Sequence, residues 1–417
     1  MRSSSKNRPD DESETELERQ LAVIRRGVAE ILPSEAELRG RLSSSISNRK
    51  PLVIKAGFDP TAPHLHLGHA VLLQKLHQFQ ELGHAVTFLI GDFTGMIGDP
   101  SGMSETRKPL TAEQVKENAR TYQQQIRHFL DPDRTTIAFN SAWMRPMTAE
   151  QFIHLAAQYN VARMLEREDF RTRFEAHRPI GLHEFLYPLI QGYDSVMLRA
   201  DIELGGTDQK FNLLVGRELQ KPTSQPPQLV ITMPLLEGTD GVRKMSKSFG
   251  NAIGIEEPPE EIFGKVMSIP DELMLRYYQL LTDDDLDSVK ALHPMEAKLR
   301  LADELVSRFH GAEAGKNART HFDSKFRRHE KRVVIQPAFE IDEALPIKVV
   351  TVNSAALLDV LVEAKLASSK GDARRLIQQG AVDVDGHRVD DPAWTIPKGQ
   401  RLRVKVGKRR FATLIRQ

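Results

Sequence analysis

Residues 51–83, PLVIKAGFDPTAPHLHLGHAVLLQKLHQFQELG, decide the fold class. The apolar run at the start predicts a buried strand, and after a loop the apolar residues recur at helical spacing until Gly83 ends the helix. Similar strand patterns follow in HAVTFLIGDF (84–93), TTIAFNSAW (135–143) and LVITMPLL (229–236). Because strands that alternate with helices form βαβ units, we expect an α/β fold built on a parallel sheet.

The chain around this stretch has 417 residues, which is enough for several domains of about 100–200 residues each. Its N-terminus is polar and acidic, and the first apolar helix pattern runs from Leu17 to Leu32. We predict a disordered tail over residues 1–15, a Rossmann-like catalytic domain over 16–250 with a helical insertion near 140–185, a helical domain over 251–335, a linker over 336–353, and a small α+β module over 354–417.

Composition excludes several classes of protein. There is no cysteine, so disulfide scaffolds, thiolate zinc sites and thiol nucleophiles are excluded. No apolar run approaches the roughly 20 residues of a membrane helix. The first twenty residues lack the apolar stretch of a signal peptide. We therefore expect a soluble, cytoplasmic protein without a membrane partner.

The net charge of +1, from 58 basic and 57 acidic residues, hides a polarised chain. Residues 354–417 contain thirteen lysines and arginines against seven acids, a balance of +6, which leaves −5 for the rest. A basic module of this kind attracts phosphate without reading sequence, whereas the alternative is a solvated basic tail. Its alternating helix and strand patterns favour a folded module over such a tail.

The first motif with chemical content is the segment from Thr61 to His69. His66 and His69 share one face at a helix start, where imidazoles and free N–H groups can bind phosphate. Gly68 leaves room for a flat base near the backbone. Taken alone, such a histidine pair is more often solvated or packed, and no third ligand nearby favours zinc.

The second motif is RKMSKSFGN, residues 243–251, which follows a predicted strand. Lys244 and Lys247 are compact charges on long stems, suited to a loop that closes over a polyphosphate. An ordinary basic surface loop is the alternative. Ligands of open α/β sheets bind at the carboxyl ends of strands, so the two motifs are expected to converge there.

These segments resemble a known family. HLGH and KMSKS are similar to the two signatures of class I aminoacyl-tRNA synthetases. GFDPTAPHLHLGH, FTGMIGDPSG, YPLIQGYD and GGTDQKFN narrow the resemblance to bacterial-type tyrosyl-tRNA synthetases, over roughly residues 50–417. The resemblance implies a tyrosine–tRNA ligase that forms tyrosyl-adenylate from tyrosine and ATP and transfers the tyrosyl group to the 3′-terminal ribose of tRNA(Tyr).

The resemblance also implies a tyrosine pocket. Tyr187, Gln191 and Asp194 lie on one helical face by their spacing, although a helix with one polar stripe would look the same. By resemblance, Asp194 accepts from the phenol O–H, whereas Tyr187 and Gln191 bind the amino group together with Asp99. The remaining implied contacts with tyrosine are Gly57, Asp59 and Gln209.

For ATP, the implied residues form two groups. Those expected to stabilise growing negative charge are His66, His69, Lys244 and Lys247, with Thr61 and Arg107 in support. Those expected to contact the nucleotide also include Gly68, Gly206, Asp208, Met245 and Ser248. GGTD alone is a common turn. Mg²⁺ is expected to arrive with ATP, with no metal held by the protein.

Three positions depart from the family pattern. Lys55 replaces a tyrosine that shares the phenol in many relatives, so recognition of the phenol is expected to depend more on Asp194. Glu203 replaces a glutamine. Met103 replaces a loop lysine, although Arg107 and Lys108 follow it. Asn140 and Trp143 match positions near the pocket, and Trp143 is equally explained as core.

Partners follow from the same resemblance. Residues 354–417 resemble a ribosomal-protein module that grips the variable arm of the tRNA, and the helical domain is expected to reach the anticodon. The tRNA-binding residues predicted in the module are Lys370, Arg374, Arg375, Arg409 and Arg410. A homodimer is expected, with the insertion as interface, where apolar helices contain Phe152, Leu155, Ala156 and Tyr159.

Three alternatives remain open. A nucleotidyltransferase acting on a small molecule would not need the helical domain or the basic module. A homologue that only binds RNA would tolerate damaged signatures, yet both stand. A tryptophan enzyme would not need a carboxylate at Asp194.

Overall fold

The structure is a computed structural model that describes residues 9–98, 110–326, 349–385, 387–396, 399, 401–407 and 410–416. The chain divides into two compact units, residues 1–331 and 332–417. Within the described residues, no helix combines the length and the apolar character needed to cross a membrane.

A six-stranded sheet forms the centre of the first unit. Its strands are β1 (Glu30–Leu32), β2 (Val53–Phe58), β3 (Ala85–Ile90), β4 (Thr135–Phe139), β5 (Ile202–Gly206) and β6 (Leu229–Met233). Their order is β1-β6-β5-β2-β3-β4, and every neighbouring pair is parallel except β1 with β6. The predicted α/β class is confirmed. Chain order reverses between β2 and β5, which creates a switch point at their carboxyl ends.

Helices surround this sheet and continue beyond it. They are α1 (Pro9–Arg25), α2 (Glu35–Asn48), α3 (Leu67–Glu81), α4 (Thr94–Ile97), α5 (Ala112–Gln125), α6 (Ser141–Met144), α7 (Ala149–Ala157), α8 (Val161–Met164), α9 (Glu168–Glu175), α10 (Leu182–Leu198), α11 (Lys210–Gln220), α12 (Pro259–Ser268), α13 (Asp271–Leu281), α14 (Leu286–Lys290), α15 (Pro294–His310) and α16 (Ala312–Phe326). Buried side chains of α12–α16 belong to the same apolar cluster as those of the sheet. The predicted boundary at residue 251 therefore does not separate two cores.

The N-terminal prediction is wrong in part. Residues 9–15, assigned to a disordered tail, form the start of α1, and the helix expected to reach Leu32 ends at Arg25. Acidic side chains are favourable in the first turns of a helix, and proline is tolerated at its first position, which accounts for the early start. Gly27 adopts a φ of 69°, and the chain then turns into β1.

Lys75 fixes the end of α1 to the sheet layer. Its side chain is 2% exposed, and Nζ donates to the carbonyl oxygens of Val23 (3.1 Å), Ile24 (3.0 Å) and Arg26 (2.8 Å). These are carbonyls that a helix end leaves without partners. Burial lowers the pKa of Lys75 to about 7.

The second unit contains β7 (Val349–Val352), α17 (Leu357–Glu363), α18 (Lys370–Gln378), β8 (Val382–Val384), β9 (His387–Arg388), β10 (Arg401–Val406) and β11 (Arg410–Arg416). The sheet order is β7-β11-β10-β8-β9. Because β7 pairs in parallel with β11, residues 349–352 belong to the module and not to the predicted linker. The predicted small α+β fold is present, and it has its own apolar core.

Candidate active site

The site lies at the carboxyl ends of the central strands. Asp59 and Thr61 follow β2, Gly91 and Thr94 follow β3, and Asp208 follows β5. This is the edge of an open α/β sheet where ligands bind.

The two signature segments contact each other at this edge, as the sequence predicts. The Nζ of Lys247 donates to the carbonyl oxygen of His64 at 2.7 Å, across 183 residues of sequence. His66 and Gly254 form an antiparallel bridge, so the residues that follow the second signature lie directly beside the first.

His66 and His69 are fixed by the start of α3. The backbone N–H of Gly68 donates to Nδ1 of His66 (3.1 Å), and the N–H of His66 donates to Nδ1 of His69 (3.2 Å). Burial, with the charge of Lys247 adding to it, lowers the pKa of His66 to about 4. Burial also lowers the pKa of His69 well below its usual value. Both rings are therefore neutral near pH 7 and keep their proton on Nε2, where it can be donated to an anion.

Gly68 has a local structural reason in addition to the predicted one. A Cβ at this position would lie 2.9 Å from Nδ1 of His66 and 3.7 Å from Cβ of Met245. The glycine therefore lets the His66 ring fold back over the first turn of α3. Met245 is 6% exposed, so this nucleotide-site candidate is at least partly a packing residue.

The lysines of the second signature are exposed at the rim. Lys244 has a side chain that is 47% exposed, with Nζ 3.5 Å from Oδ2 of Asp208. Burial of the Lys247 stem lowers its pKa, and the charges of Glu256 and Glu257 oppose this shift. Ser248 is exposed. These side chains are available to a polyphosphate.

Hydrogen bonds around Asn251, which were not predicted, hold the loop of the second signature. Asn251 is 3% exposed, and its Nδ2 donates to Oδ2 of Asp240 (3.0 Å) and to the carbonyl of Lys244 (3.2 Å). Its Oδ1 accepts from the N–H of Ser246 (2.9 Å). Donation from the N–H of Val242, with further bonds from its neighbours, lowers the pKa of Asp240 to about 2. The Asp-Gly turn at 240–241 was the available signal.

Asp194 is the centre of the predicted tyrosine pocket. Its side chain is 2% exposed, with Nε1 of Trp143 donating to Oδ1 (2.8 Å) and Nδ2 of Asn140 to Oδ2 (3.4 Å). Burial raises its pKa to about 7, although Lys55 and these two donors oppose the rise. Trp143 is thus a partner of the pocket carboxylate and not only core.

A second carboxylate is joined to the same network. The hydroxyl of Tyr187 donates to Oδ2 of Asp59 (2.8 Å), and the hydroxyl of Thr94 donates to Oδ1 (2.7 Å). Nδ2 of Asn140 donates in turn to Oγ1 of Thr94 (3.0 Å). A Cβ on Gly91 would lie 2.1 Å from Oδ1 of Asp59, so only glycine fits there. Thr94 and Gly91 were not predicted, because neither residue type indicates a contact with a site carboxylate.

Gln191 carries an unpartnered acceptor. Its Oε1 is buried without a hydrogen-bond partner in the described part of the chain. A buried amide oxygen of this kind needs a donor, and a substrate ammonium group is one. Gly57, by contrast, is exposed on β2 and has ordinary clearance around it.

Lys55 and Glu203 form a buried ion pair behind Asp194. Their side chains are 0% and 1% exposed, with 3.1 Å between Nζ and Oε1. Nζ also donates to Oγ of Ser195 (2.7 Å) and to the carbonyl of Gln191 (3.3 Å). The two departures from the family pattern are therefore partners of each other.

The expected ribose edge is compact. A Cβ on Gly206 would lie 2.6 Å from Oδ1 of Asp208, so the glycine allows the turn that carries this carboxylate. Gln209 accepts at Oε1 from Nδ2 of Asn212 (3.1 Å). The N–H of Thr61 donates to the carbonyl of Asp59 (2.8 Å), and Thr61 is exposed.

Some predicted residues lie outside the described ones, namely Asp99, Arg107 and Arg409, together with Met103 and Lys108. Among the described residues there is no group of three histidine, aspartate or glutamate side chains that could hold a metal ion.

Basic side chains line part of the second unit. Arg374 is exposed, whereas Lys370 pairs with Asp359 (2.6 Å) and Arg375 with Asp372 (2.7 Å). The predicted Arg410 donates to the carbonyl of Leu366 (2.6 Å).

Strand β10 adds three basic side chains that were missing from the predicted set. Arg401, Arg403 and Lys405 alternate with buried apolar residues, so all three lie on the outer face. The alternation was visible in the sequence.

The insertion helices divide their apolar residues between two surfaces. Leu155 is buried, and Phe152, Ala156 and Tyr159 pack against the same small cluster. Those four therefore serve the inside of the unit. Apolar side chains that remain exposed in this region are Ile153 (67%), Val161 (61%), Phe174 (60%) and Leu182 (81%).

The chain matches two family models. Residues 47–327 match the class I tRNA synthetases of the tryptophan and tyrosine group, and residues 357–402 match the S4 domain. The sequence is 55% identical over 409 residues to a tyrosine–tRNA ligase of Syntrophotalea carbinolica, covering 95% of this chain and 98% of that one. It is 56% identical over 404 residues to a tyrosine–tRNA ligase of Geobacter sulfurreducens, with the same coverage.

Solved structures share the fold at low identity. A C-terminally truncated mitochondrial tyrosyl-tRNA synthetase of Aspergillus nidulans superposes with a TM-score of 0.63 at 21% identity, covering 76% of this chain and 100% of that one. A tyrosyl-tRNA synthetase of Archaeoglobus fulgidus, complexed with L-tyrosine, gives 0.58 at 22% identity, covering 73% and 99%.

Proposed function

The chain belongs to the class I tRNA synthetases of the tryptophan and tyrosine group, and we propose that its site divides the reaction between a buried tyrosine end and an exposed phosphate end. The reaction is that of a tyrosine–tRNA ligase. Tyrosine and ATP give tyrosyl-adenylate and pyrophosphate, and the tyrosyl group then passes to the 3′-terminal ribose of the tRNA.

At the tyrosine end, Asp194 accepts from the phenol O–H. A buried site built to bond a hydroxyl leaves its polar group unpaired when the hydroxyl is missing, which is the basis of discrimination against phenylalanine. Oε1 of Gln191 accepts from the substrate ammonium group, and Tyr187 and Asp99 are the further residues proposed to bind it. Gln209, Asp59 and Gly57 complete the surroundings of the amino acid.

At the phosphate end, no general base is needed for the first step, because the tyrosine carboxylate is already ionised at pH 7. It attacks the α-phosphate in line, and the charge that grows on the phosphate oxygens must be stabilised. The Nε2–H groups of His66 and His69 donate to these oxygens as neutral donors. Lys244 and Lys247 supply positive charge, with Thr61 and Arg107 in support.

The nucleoside is held between the same elements. Asp208 accepts from ribose hydroxyls where Gly206 lets the backbone come close. Gly68, Met245 and Ser248 lie along the nucleotide. Mg²⁺ accompanies the triphosphate as part of the substrate, because hard cations of this kind keep several waters and bind phosphate oxygens.

The rest of the chain serves the tRNA. The second unit binds the phosphate backbone through Lys370, Arg374, Arg375, Arg409 and Arg410, and residues 251–335 reach the anticodon. Exposed apolar side chains of the insertion support a homodimer, since patches of this kind mark protein interfaces. The protein acts in the cytoplasm.

One observation carries the choice of amino acid: Asp194 is a buried carboxylate whose two oxygens already accept from Trp143 and Asn140. The test is ATP–pyrophosphate exchange with tyrosine, tryptophan or phenylalanine as the only amino acid. Exchange is expected with tyrosine alone. Exchange with tryptophan in its place would overturn the assignment, and no exchange with any of them would favour a protein that only binds RNA.

A further inference from the structure

The buried pair Lys55–Glu203 has no role in the proposed reaction, yet it contacts α10, the helix that carries Gln191 and Asp194. Lys55 lies on β2 and Glu203 on β5, directly opposite each other in parallel register. Burying two charges is unfavourable unless each is paired and hydrogen-bonded. Even a well-bonded buried pair is weak evidence for stability, so its contact with the pocket helix calls for another role.

Both members are bonded to α10 and its surroundings. The Lys55 ammonium donates to the Gln191 carbonyl and the Ser195 hydroxyl, which both belong to α10 and lie one turn apart. Oε1 of Glu203, 3.1 Å away, pairs with it by charge and accepts no hydrogen bond from the described residues. Ser195 also donates to Oε2 of Glu203 (3.0 Å), and Nε2 of Gln228 donates to the same oxygen. These bonds fix the rotation of α10 about its own axis, and Gln191 and Asp194 are carried on that helix.

The pair also sets the charge around Asp194. The charged side chains that act on it are Lys55 from β2 and Glu203 from β5, whereas Asn140 and Trp143 contribute neutral donors. Without Lys55, two buried carboxylates would share the site, and one of them would take up a proton. A protonated Asp194 could not keep both donors and still accept from a phenol in the same way.

We propose that Lys55, with Glu203 as its counter-charge, is the positioning residue that presents Asp194 to the substrate phenol as a carboxylate. The proposal rests on the tyrosine function given above. Lys55 does not contact the phenol directly in this proposal. It supports Asp194 through its hydrogen bonds to α10 and through its charge.

Substitutions of Lys55 and of Glu203 are expected to shift the pH dependence of tyrosine binding in opposite directions. In Lys55→Met, the pH below which tyrosine binding weakens is expected to rise by about one unit or more, because a positive charge is lost beside Asp194. In Glu203→Gln, the same pH limit is expected to fall, because a negative charge is lost. A merely structural pair would weaken tyrosine binding in both variants and shift the limit in the same direction or not at all.

The measurement is the KM for tyrosine and kcat of ATP–pyrophosphate exchange between pH 5.5 and 9, repeated with phenylalanine. At pH 7, Lys55→Met is expected to raise KM for tyrosine about tenfold, with a smaller change in kcat, and to reduce the preference over phenylalanine about tenfold. Lys75→Met is the matched control: a second lysine that is 2% exposed and bonded to backbone carbonyls, but to those at the end of α1 and not to α10. It is expected to lower thermal stability without moving the pH limit.

Failure of the proposed function and failure of the role proposed for Lys55 give different results. If the wild type shows no exchange with tyrosine, the proposed function fails. If the wild type is active but both variants shift the limit in the same direction, or Lys75→Met shifts it equally, the role of Lys55 is overturned. Should Lys55→Met not fold, Glu203→Gln carries the test alone, and a pH limit equal to or above that of the wild type would overturn the proposal.

Discussion

The two ends of the proposed site, one for tyrosine and one for phosphate, are built on opposite principles. At the tyrosine end, Asp194 and Lys55 are 2% and 0% exposed, and both are hydrogen-bonded to side chains of neighbouring elements. At the phosphate end, Lys244 is 47% exposed and belongs to a loop. Recognition of a small hydroxyl requires a site that excludes water and holds its side chains in fixed positions. A charge that moves during the reaction can instead be followed by long side chains at the solvent-exposed edge of the site. The tyrosine end is therefore expected to lower the free energy of unfolding, whereas the phosphate end is not.

The largest expected effect falls on the phosphate end. In the proposed mechanism, Lys247→Ala removes a positive charge that acts mainly in the transition state, and by analogy with oxyanion-hole donors this costs about 2.7–4 kcal/mol. Adenylate formation is expected to fall by about 10²–10³-fold with little change in tyrosine affinity. Pre-steady-state pyrophosphate release measures the rate, and equilibrium dialysis measures tyrosine binding.

Lys221→Ala is the control, because Lys221 is an exposed lysine paired with Glu218 on α11. It is expected to leave both quantities unchanged. An unchanged rate in Lys247→Ala would remove the lysine from the mechanism.

The next effect separates activity from stability at the tyrosine end. Asp194→Asn is expected to reduce kcat/KM for tyrosine about a hundredfold, because the charged acceptor of the phenol is lost. The same variant should be more stable than the wild type at pH 8 by about 1–3 kcal/mol, since it no longer buries a charge.

The sign follows from the pKa of Asp194, which the fold raises to about 7. The stabilising contribution of this group is complete below its unfolded value, near pH 4, and is lost as pH rises through 7. The stability difference between variant and wild type should therefore grow between pH 4 and pH 8 in urea unfolding. A variant less stable than the wild type at pH 8 would contradict the comparison.

A smaller effect is expected from Gly91→Ala. The new Cβ would lie 2.1 Å from Oδ1 of Asp59 and 2.3 Å from Oγ1 of Thr94, so the bond between these side chains must break. Overpacking of this kind costs about 1–3 kcal/mol, and KM for tyrosine should rise with it. Gly40→Ala on α2, where a Cβ meets nothing within 4 Å, serves as control and should be neutral or slightly stabilising. Equal melting temperatures for the two variants would show that the site tolerates the displacement.

The smallest effect sharpens the other side of the comparison. Lys244→Ala removes a half-exposed side chain whose nearest carboxylate oxygen is 3.5 Å away. Its free energy of unfolding is expected to change by less than about 0.5 kcal/mol, while pyrophosphate exchange falls. A loss of stability comparable to that of Gly91→Ala would mean that the loop is part of the folding core.

Much of the fold could be predicted, because strand and helix periods are local signals. The convergence of His66 and Lys247 followed from one rule about strand ends. The partnership of Lys55 with Glu203 could not be predicted, since it depends on the register of β2 and β5. The helical start of α1 was missed because polarity alone was taken as disorder, although acids at the start of a helix are favourable.

The site contacts that were missed share one property. Thr94 and Gly91 are small residues whose type alone does not indicate a site. Gly91 matters for the space it leaves beside Asp59, and Thr94 for its hydrogen bond to that carboxylate. Asn251 is similar, since its role appears only when both ends of the loop are seen together.

The bonds around the second signature limit how far its lysines can travel. On one side the N–H of Met245 donates to the carbonyl of Leu236 (2.7 Å), and on the other the N–H of Ile255 donates to the carbonyl of Leu65 (3.2 Å). Between these two bonds, a rearrangement that keeps both can displace residues 246–254 with Lys247, whereas Lys244 lies on the other side of the Met245 bond. The segment is therefore a short span tied to the sheet at one end and to the histidine segment at the other. Its reach towards a triphosphate comes from the lysine side chains more than from a swing of the backbone.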